Sequence, residues 1–208
     1  MLKFLNGSAG LTKWVSRKLE KIKRKDNPHK FYNSFRFRYS TERTALTGIR
    51  RRDKEITSLD EMKSILKTAK YVTLAMCMND EPYLVTLSHG YDQERNCVYF
   101  HCADEGKKIN ILNANGLVWG QALTDLGYVQ GACDQLYATT QFRGRVTFVE
   151  DISEKEHALK VMIESLDKNP EKIMKKQLKP ESIQKVRIGR IDIDYMSGKK
   201  ADKVIISQ

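Results

Sequence analysis

Val98-Tyr-Phe-His-Cys-Ala-Asp-Glu-Gly-Lys-Lys-Ile-Asn-Ile-Leu112 opens as one kind of structure and closes as another. Val98, Tyr99 and Phe100 are residue types that suit a pleated surface. Asp104-Glu105-Gly106 breaks the run. Beyond it Ile109 and Leu112, three apart, with Ile111 beside them, read as one face of a helix. The stretch therefore predicts a strand, a turn and a helix that starts at Lys107 and Lys108. A helix N-terminus offers unpaired backbone N–H groups and the positive end of the helix dipole. Two ammonium groups at the same point make a seat for a phosphate. The competing reading is an exposed turn with two solvated lysines.

The charge is unevenly spread. The chain of 208 residues carries a formal net charge of +11. Residues 1–54 hold 16 Lys and Arg against 4 Asp and Glu, a balance of +12, and residues 55–208 hold 21 against 22, a balance of −1. The basic excess belongs to the N-terminal quarter, and the near-neutral remainder is not a nucleic-acid-binding domain. We place the boundary at Arg50-Arg-Arg-Asp53, giving a basic extension over 1–52 and a globular domain over 53–208. The four cysteines, Cys77, Cys97, Cys102 and Cys133, form no Cys-x-x-Cys pair and no zinc spacing with His29, His89, His101 or His157, so no metal site is expected. Reduced thiols point to a cytoplasmic protein. No apolar run is long enough to span a bilayer, and Met1-Leu-Lys-Phe-Leu5 is too short for a signal-peptide core.

Within the extension, residues 9–25 pattern as an amphipathic helix, with Leu11, Trp14, Val15, Leu19 and Ile22 on one stripe. It could lie on an anionic membrane, meet an acidic partner, or pack on its own protein. The run Phe31-Tyr-Asn-Ser-Phe-Arg-Phe-Arg-Tyr39 could stack on single-stranded nucleic acid, but an arm laid over a partner suits the rest of the chain better. In the domain, Ser58 with Glu61 three residues on marks a helix start, and that helix runs to about Ala69. Strands are expected over Tyr71–Cys77, Tyr83–Ser88, Cys97–Cys102, Leu117–Leu123, Tyr137–Val149 and Val186–Met196. Asn113-Ala-Asn-Gly116 should close the lysine-bearing helix. Thr124–Gln135 reads as irregular, Gly144 as a bend or bulge, Gly189 as a second possible register shift and Ser197-Gly-Lys-Lys200 as a turn. Asp151 starts a further helix that ends at Asn169-Pro170. The domain is thus mainly β, an α+β arrangement of six antiparallel strands in a small closed or half-closed barrel with peripheral helices.

Four blocks carry a family resemblance: Glu81–Asp92, Val98–Asn115, Gly144–Asp151 and Ile191–Lys200. Together they resemble the pyridoxamine-phosphate-oxidase-like FMN-binding split barrels, and within these the nitroimidazole-resistance (Nim-type) branch. The resemblance implies a six-stranded antiparallel split barrel and a homodimer with FMN at the subunit interface. It implies that Lys107 and Lys108 hold the flavin phosphate. The backbone at Val85, Thr86 and Leu87 would run under the flavin ring. His101 and Cys102 would face phosphate and ribityl, and Thr139 would supply a hydroxyl. His89 would stand at the end of the second strand as the candidate catalytic group, donating to a reduced ring or a substrate oxygen. Its alternative is a turn histidine bonded to backbone. Cys102 reads better as a small core residue than as a reactive thiol, and Trp14 and Trp119 as packing residues. No basic set for pyridoxamine phosphate is evident, so oxidation of vitamin B6 is not expected.

Two functions follow from this resemblance. One is an FMN-dependent oxidoreductase that passes electrons from a nicotinamide or deazaflavin donor to a small electrophile such as a nitroaromatic or quinone. The other is a non-catalytic barrel that stores or senses a flavin or haem, its basic arm docked on a membrane or acidic partner. Nucleic acid is the least favoured partner.

Overall fold

The computed structural model describes residues 48–201 with Val204 and Ile206, so the amphipathic helix over 9–25, Trp14 and the arginine–aromatic run lie outside the described residues. Eight strands form one sheet: β1 (Glu55–Ile56), β2 (Tyr71–Met78), β3 (Glu81–Ser88), β4 (Gly90–Asp92), β5 (Cys97–Cys102), β6 (Leu117–Val129), β7 (Asp134–Val149) and β8 (Arg187–Lys200). The helices are α1 (Leu59–Thr68), α2 (Lys107–Ala114), α3 (Ile152–Leu166), α4 (Pro170–Gln177) and α5 (Pro180–Lys185). All pairings are antiparallel, in the order β3-β2-β6-β7-β8-β5-β4, with β1 on β8.

The two end strands of that path, β3 and β4, are consecutive in the chain and separated by His89 alone. The sheet therefore curls until its ends are joined by one residue, without a ladder between them. This is the split-barrel architecture expected from the sequence. The barrel core gathers Val72, Leu74, Val98, Phe100, Phe142 and Ile191, with α1 and α2 contributing Leu66 and Ile111. A smaller core lies under α3, where Tyr99, Ala158, Met162 and Ile188 meet. β5 feeds both, because successive side chains leave opposite faces. That double burial explains why its sequence is apolar without alternation.

Two cross-strand pairs set the curvature. Phe100 lies opposite Gly189, and Phe142 opposite Gly120. A methyl group on Gly189 would stand 2.2 Å from Phe100 Cζ, and one on Gly120 would stand 2.1 Å from Phe142 Cζ. Each ring covers the bare backbone of its glycine, the arrangement that lets a tightly curved sheet keep a filled core.

Capping follows the sequence. Ser58 Oγ accepts the Glu61 amide at 3.2 Å, and Asp151 Oδ1 accepts the Glu154 amide at 2.8 Å. Four expectations need correction. Thr124–Gln135 is not irregular: β6 and β7 continue their ladder to Val129 and Asp134, with a shift between Asp125 and Tyr128 that absorbs Gly127. Ser197–Lys200 is strand and not turn, because Gly198 lets Met62 and Ile56 close on the backbone. At Gly189 the register runs unbroken, and the glycine serves the Phe100 ring instead. Asn115, in extended conformation, caps α2 in place of Gly116. At Gly144 the predicted shift is present, and the extra residue is Asp194 on β8, tied back to Arg143 Nε at 2.8 Å.

Candidate functional site

The turn Ala103–Gly106 carries the chain from β5 into α2. Gly106 precedes the helix at φ 127°, a conformation that favours glycine, and no side chain caps the helix N-terminus. Nothing lies within 4 Å of where a Cβ on Gly106 would stand. The opening amides of α2 thus have no side-chain cap and no partner within the helix. Lys107 is exposed, its Nζ 3.2 Å from Glu81 Oε1 and 4.8 Å from the Tyr83 ring centroid. Lys108 is half-buried, its Nζ 5.7 Å from the Phe100 ring centroid. Both ammonium groups therefore bracket the start of α2, one toward β3 and one over the core. The Lys107–Glu81 pair is exposed on both sides, and such pairs are worth about 0–1 kcal/mol. A phosphate dianion can outcompete Glu81 for that lysine.

β3 is an edge strand that pairs with β2 and with no other described strand. Val85 and Leu87 pack against the core, while Thr86 faces out and shares a 3.0 Å contact with Thr73 Oγ1. The free edge and the α2 N-terminus adjoin through Glu81 and Lys107. This places a backbone edge, bare amides and two cations together, which suits a flat ring system with an anionic tail.

The end of β5 gives a divided result. Cys102 is half-buried against the core, and its Sγ sits 3.9 Å from the Arg187 carbonyl. Burial pushes its thiol up, with the charges of Lys108 and Arg187 pulling the other way. A protonated, packed sulfur is the core residue the sequence suggested. His101 is exposed and makes no side-chain hydrogen bond with a described residue. Trp119 packs edge-on against Tyr195 at 5.8 Å, as expected of a packing residue.

His89 occupies the seam between β3 and β4. Its side chain is fully buried, and Nε2 lies 2.9 Å from the Leu66 carbonyl near the end of α1. A carbonyl only accepts, so Nε2 carries the proton and donates it. Nδ1 is then a bare acceptor, and it has no partner. Burial pushes the imidazole pKa below its ordinary value, partly offset by the Leu66 bond. The catalytic role expected for His89 finds no exposed donor here. The backbone-bonded alternative is what the structure shows, joining the two ends of the sheet to α1. A group with a lowered folded pKa takes up a proton more readily when unfolded, so stability falls as pH drops below about 6.5. Denaturant unfolding at stepped pH should show that loss, and His89→Gln should flatten it.

Thr139 is separated from this cluster. It lies on β7, three strands along the sheet from β3, which at ordinary strand spacing is about 14 Å. Its Oγ1 donates to the Ala122 carbonyl at 2.8 Å. It lines a small hollow with Ile49, Gln141, Ser197, Gly198 and Lys199. Within one chain the structure brings Lys107, Lys108 and the start of β3 together, but not Thr139. Among the described residues no group of His, Cys, Asp and Glu is arranged to hold a metal, and no helix is long and apolar enough to cross a membrane.

A family model described as pyridoxamine 5′-phosphate oxidase matches residues 58–200. The chain belongs to this family. The fold resembles that of a candidate 5-nitroimidazole antibiotic resistance protein from Bacteroides thetaiotaomicron, at 25% identity and TM-score 0.60 over 70% of this chain and 85% of that one. The fold is also shared by a flavocytochrome from Azotobacter vinelandii, at 17% identity and TM-score 0.61 over 74% and 72%. A third is an FAD- and haem-binding protein from Mycobacterium smegmatis, at 13% identity and TM-score 0.59 over 74% and 76%. No curated protein matches the chain.

Two features of this family member escaped the sequence reading. One is the outer face of the sheet. The registers align Leu84, Ala75, Trp119, Arg143 and Tyr195 in one row across five strands. Tyr71 is 58% exposed, Leu84 64% and Leu123 53%, an apolar content no isolated strand reveals. The other is Arg187, whose Nη1 donates to the Asp104 carbonyl at 3.3 Å. That contact spans 83 residues of sequence and has no local signal.

Proposed function

We propose that this chain is an FMN-dependent oxidoreductase that works as a homodimer. It would carry electrons from a nicotinamide or deazaflavin donor to a small electrophile, a nitroaromatic or a quinone. The observation that carries this is the uncapped α2 N-terminus with Lys107 and Lys108 beside the edge of β3. Those groups fit the phosphate end of FMN: oriented N–H donors, a helix dipole and two cations at one point. When bound, FMN supplies the redox chemistry, and the chain's own residues bind, orient and shield it. Lys107 and Lys108 neutralise the phosphate, and the β3 backbone from Val85 to Leu87 offers hydrogen bonds along one side of the ring.

The exposed apolar residues on β3, β2 and β6 support the dimer. Two such faces meeting would bury Tyr71, Leu84 and Leu123 and would bring Thr139 of a second copy toward a cofactor held by the first. The nitroaromatic acceptor draws on the candidate 5-nitroimidazole resistance protein, 25% identical to this chain. Pyridoxamine phosphate is not an expected substrate.

Purified protein reconstituted with FMN tests the proposal. Under anaerobic conditions, NADH, NADPH or a reduced deazaflavin should bleach the visible band of the bound flavin, and a nitroimidazole or quinone should restore it. A protein that takes up FMN but is bleached by none of these donors is a binding protein and not a reductase.

A further inference from the structure

Arg187 opens β8 directly opposite Cys102, the last residue of β5. Its guanidinium carbon stands 4.1 Å from the centroid of the Phe148 ring. Its Nη1 donates to the Asp104 carbonyl at 3.3 Å, inside the turn that leads into α2. Its Nε is buried and has no hydrogen-bond partner. Leaving a buried N–H unmade is unfavourable. The stack on Phe148 and the bond to Asp104 therefore fix this side chain at the expense of Nε.

The turn has little else to hold it. Gly106 has no side chain, its surroundings are open, and no side chain caps the helix it begins. Among the described residues, the Arg187 bond is the one side-chain hydrogen bond made to residues 103–106. We infer that Arg187 is a positioning residue of the phosphate seat: it clamps the Ala103–Gly106 turn so that the first amides of α2 and its two lysines face the cofactor's phosphate. This rests on the proposed phosphate seat and adds a residue that does not touch the ligand. The role needs a planar, rigid cation, since a lysine cannot both lie flat on Phe148 and direct a fixed N–H at Asp104.

The test compares FMN with riboflavin, which lacks the phosphate, by fluorescence titration of the full chain. The variants are Arg187→Lys, which keeps the charge, and Arg187→Met, which removes it. Arg187→Lys is the deciding variant if Arg187→Met does not fold. Both should bind FMN about tenfold more weakly, the scale of one lost directed hydrogen bond, with riboflavin affinity unchanged. The FMN-to-riboflavin ratio is the readout that a general loss of stability would not move. If Arg187→Lys keeps the wild-type ratio, the clamp is wrong and at most a field effect remains. If both ligands weaken in parallel, Arg187 is a fold residue only, and the inference fails while the phosphate seat stands. A wild-type protein without any preference for FMN over riboflavin overturns the seat itself, and the clamp with it.

Discussion

A protein carrying both Lys107→Ala and Lys108→Ala is expected to lose FMN affinity while keeping its fold. Each lysine stands to make a charge-assisted bond to a phosphate oxygen, and together their removal should weaken binding by about 1–3 kcal/mol. That corresponds to roughly 5- to 150-fold in the dissociation constant. The effect should shrink as salt rises, because the contacts are electrostatic and Lys107 is exposed. Riboflavin binding should not change. The two lysines should not contribute equally. Lys108 is half-buried over Phe100 and positioned before any ligand arrives. Lys107 is shared with Glu81 and must exchange partners. The single variant Lys108→Ala should therefore cost more than Lys107→Ala. Unchanged FMN affinity in the double variant would locate the phosphate elsewhere.

The largest expected effect on stability comes from Gly120→Ala and Gly189→Ala. A Cβ at either position would enter the ring of Phe142 or Phe100, both fully buried. Neither ring can retreat without displacing barrel core, so each change should cost about 1–3 kcal/mol or more, as overpacking does. The two pairs sit on different strands, Gly120 on β6 and Gly189 on β8, so the costs should nearly add. For a domain of this size about 1 kcal/mol lowers Tm by about 2–4 °C. Thermal unfolding of the two single variants and the double variant checks this. Gly189→Ala carries a second consequence, since Phe100 is the ring beneath Lys108. It should weaken FMN binding beyond what Gly120→Ala does. Equal stability of all three variants with wild type would mean the rings do not lie on these glycines.

Local chemistry made much of this legible. Ser58 and Asp151 announced their helices because an N-cap acts within three residues. The strand, turn and helix around Gly106 could be read because apolar spacing changes from one period to the other across it. Gly144 signalled a bulge, but the residue that bulges, Asp194, belongs to the opposite strand, and pairing is not visible from one strand alone. Ser197–Lys200 misled because a glycine between polar residues looks like a turn. Gly198 is there for the approach of Met62 and Ile56. His89 was ambiguous for a similar reason. A histidine before a glycine reads equally as a ligand contact or a structural pin, and the Leu66 carbonyl that decides it is 23 residues away. Arg187 and the exposed outer face were illegible because each exists only once distant strands are in register.

The crystal structure of the FMN complex tests the central claim most directly. The account predicts phosphate oxygens within about 2.7–3.2 Å of the opening amides of α2, Lys107 turned from Glu81 to the phosphate, and the flavin ring along β3. A phosphate bound away from α2, with Lys107 still paired to Glu81, would contradict it.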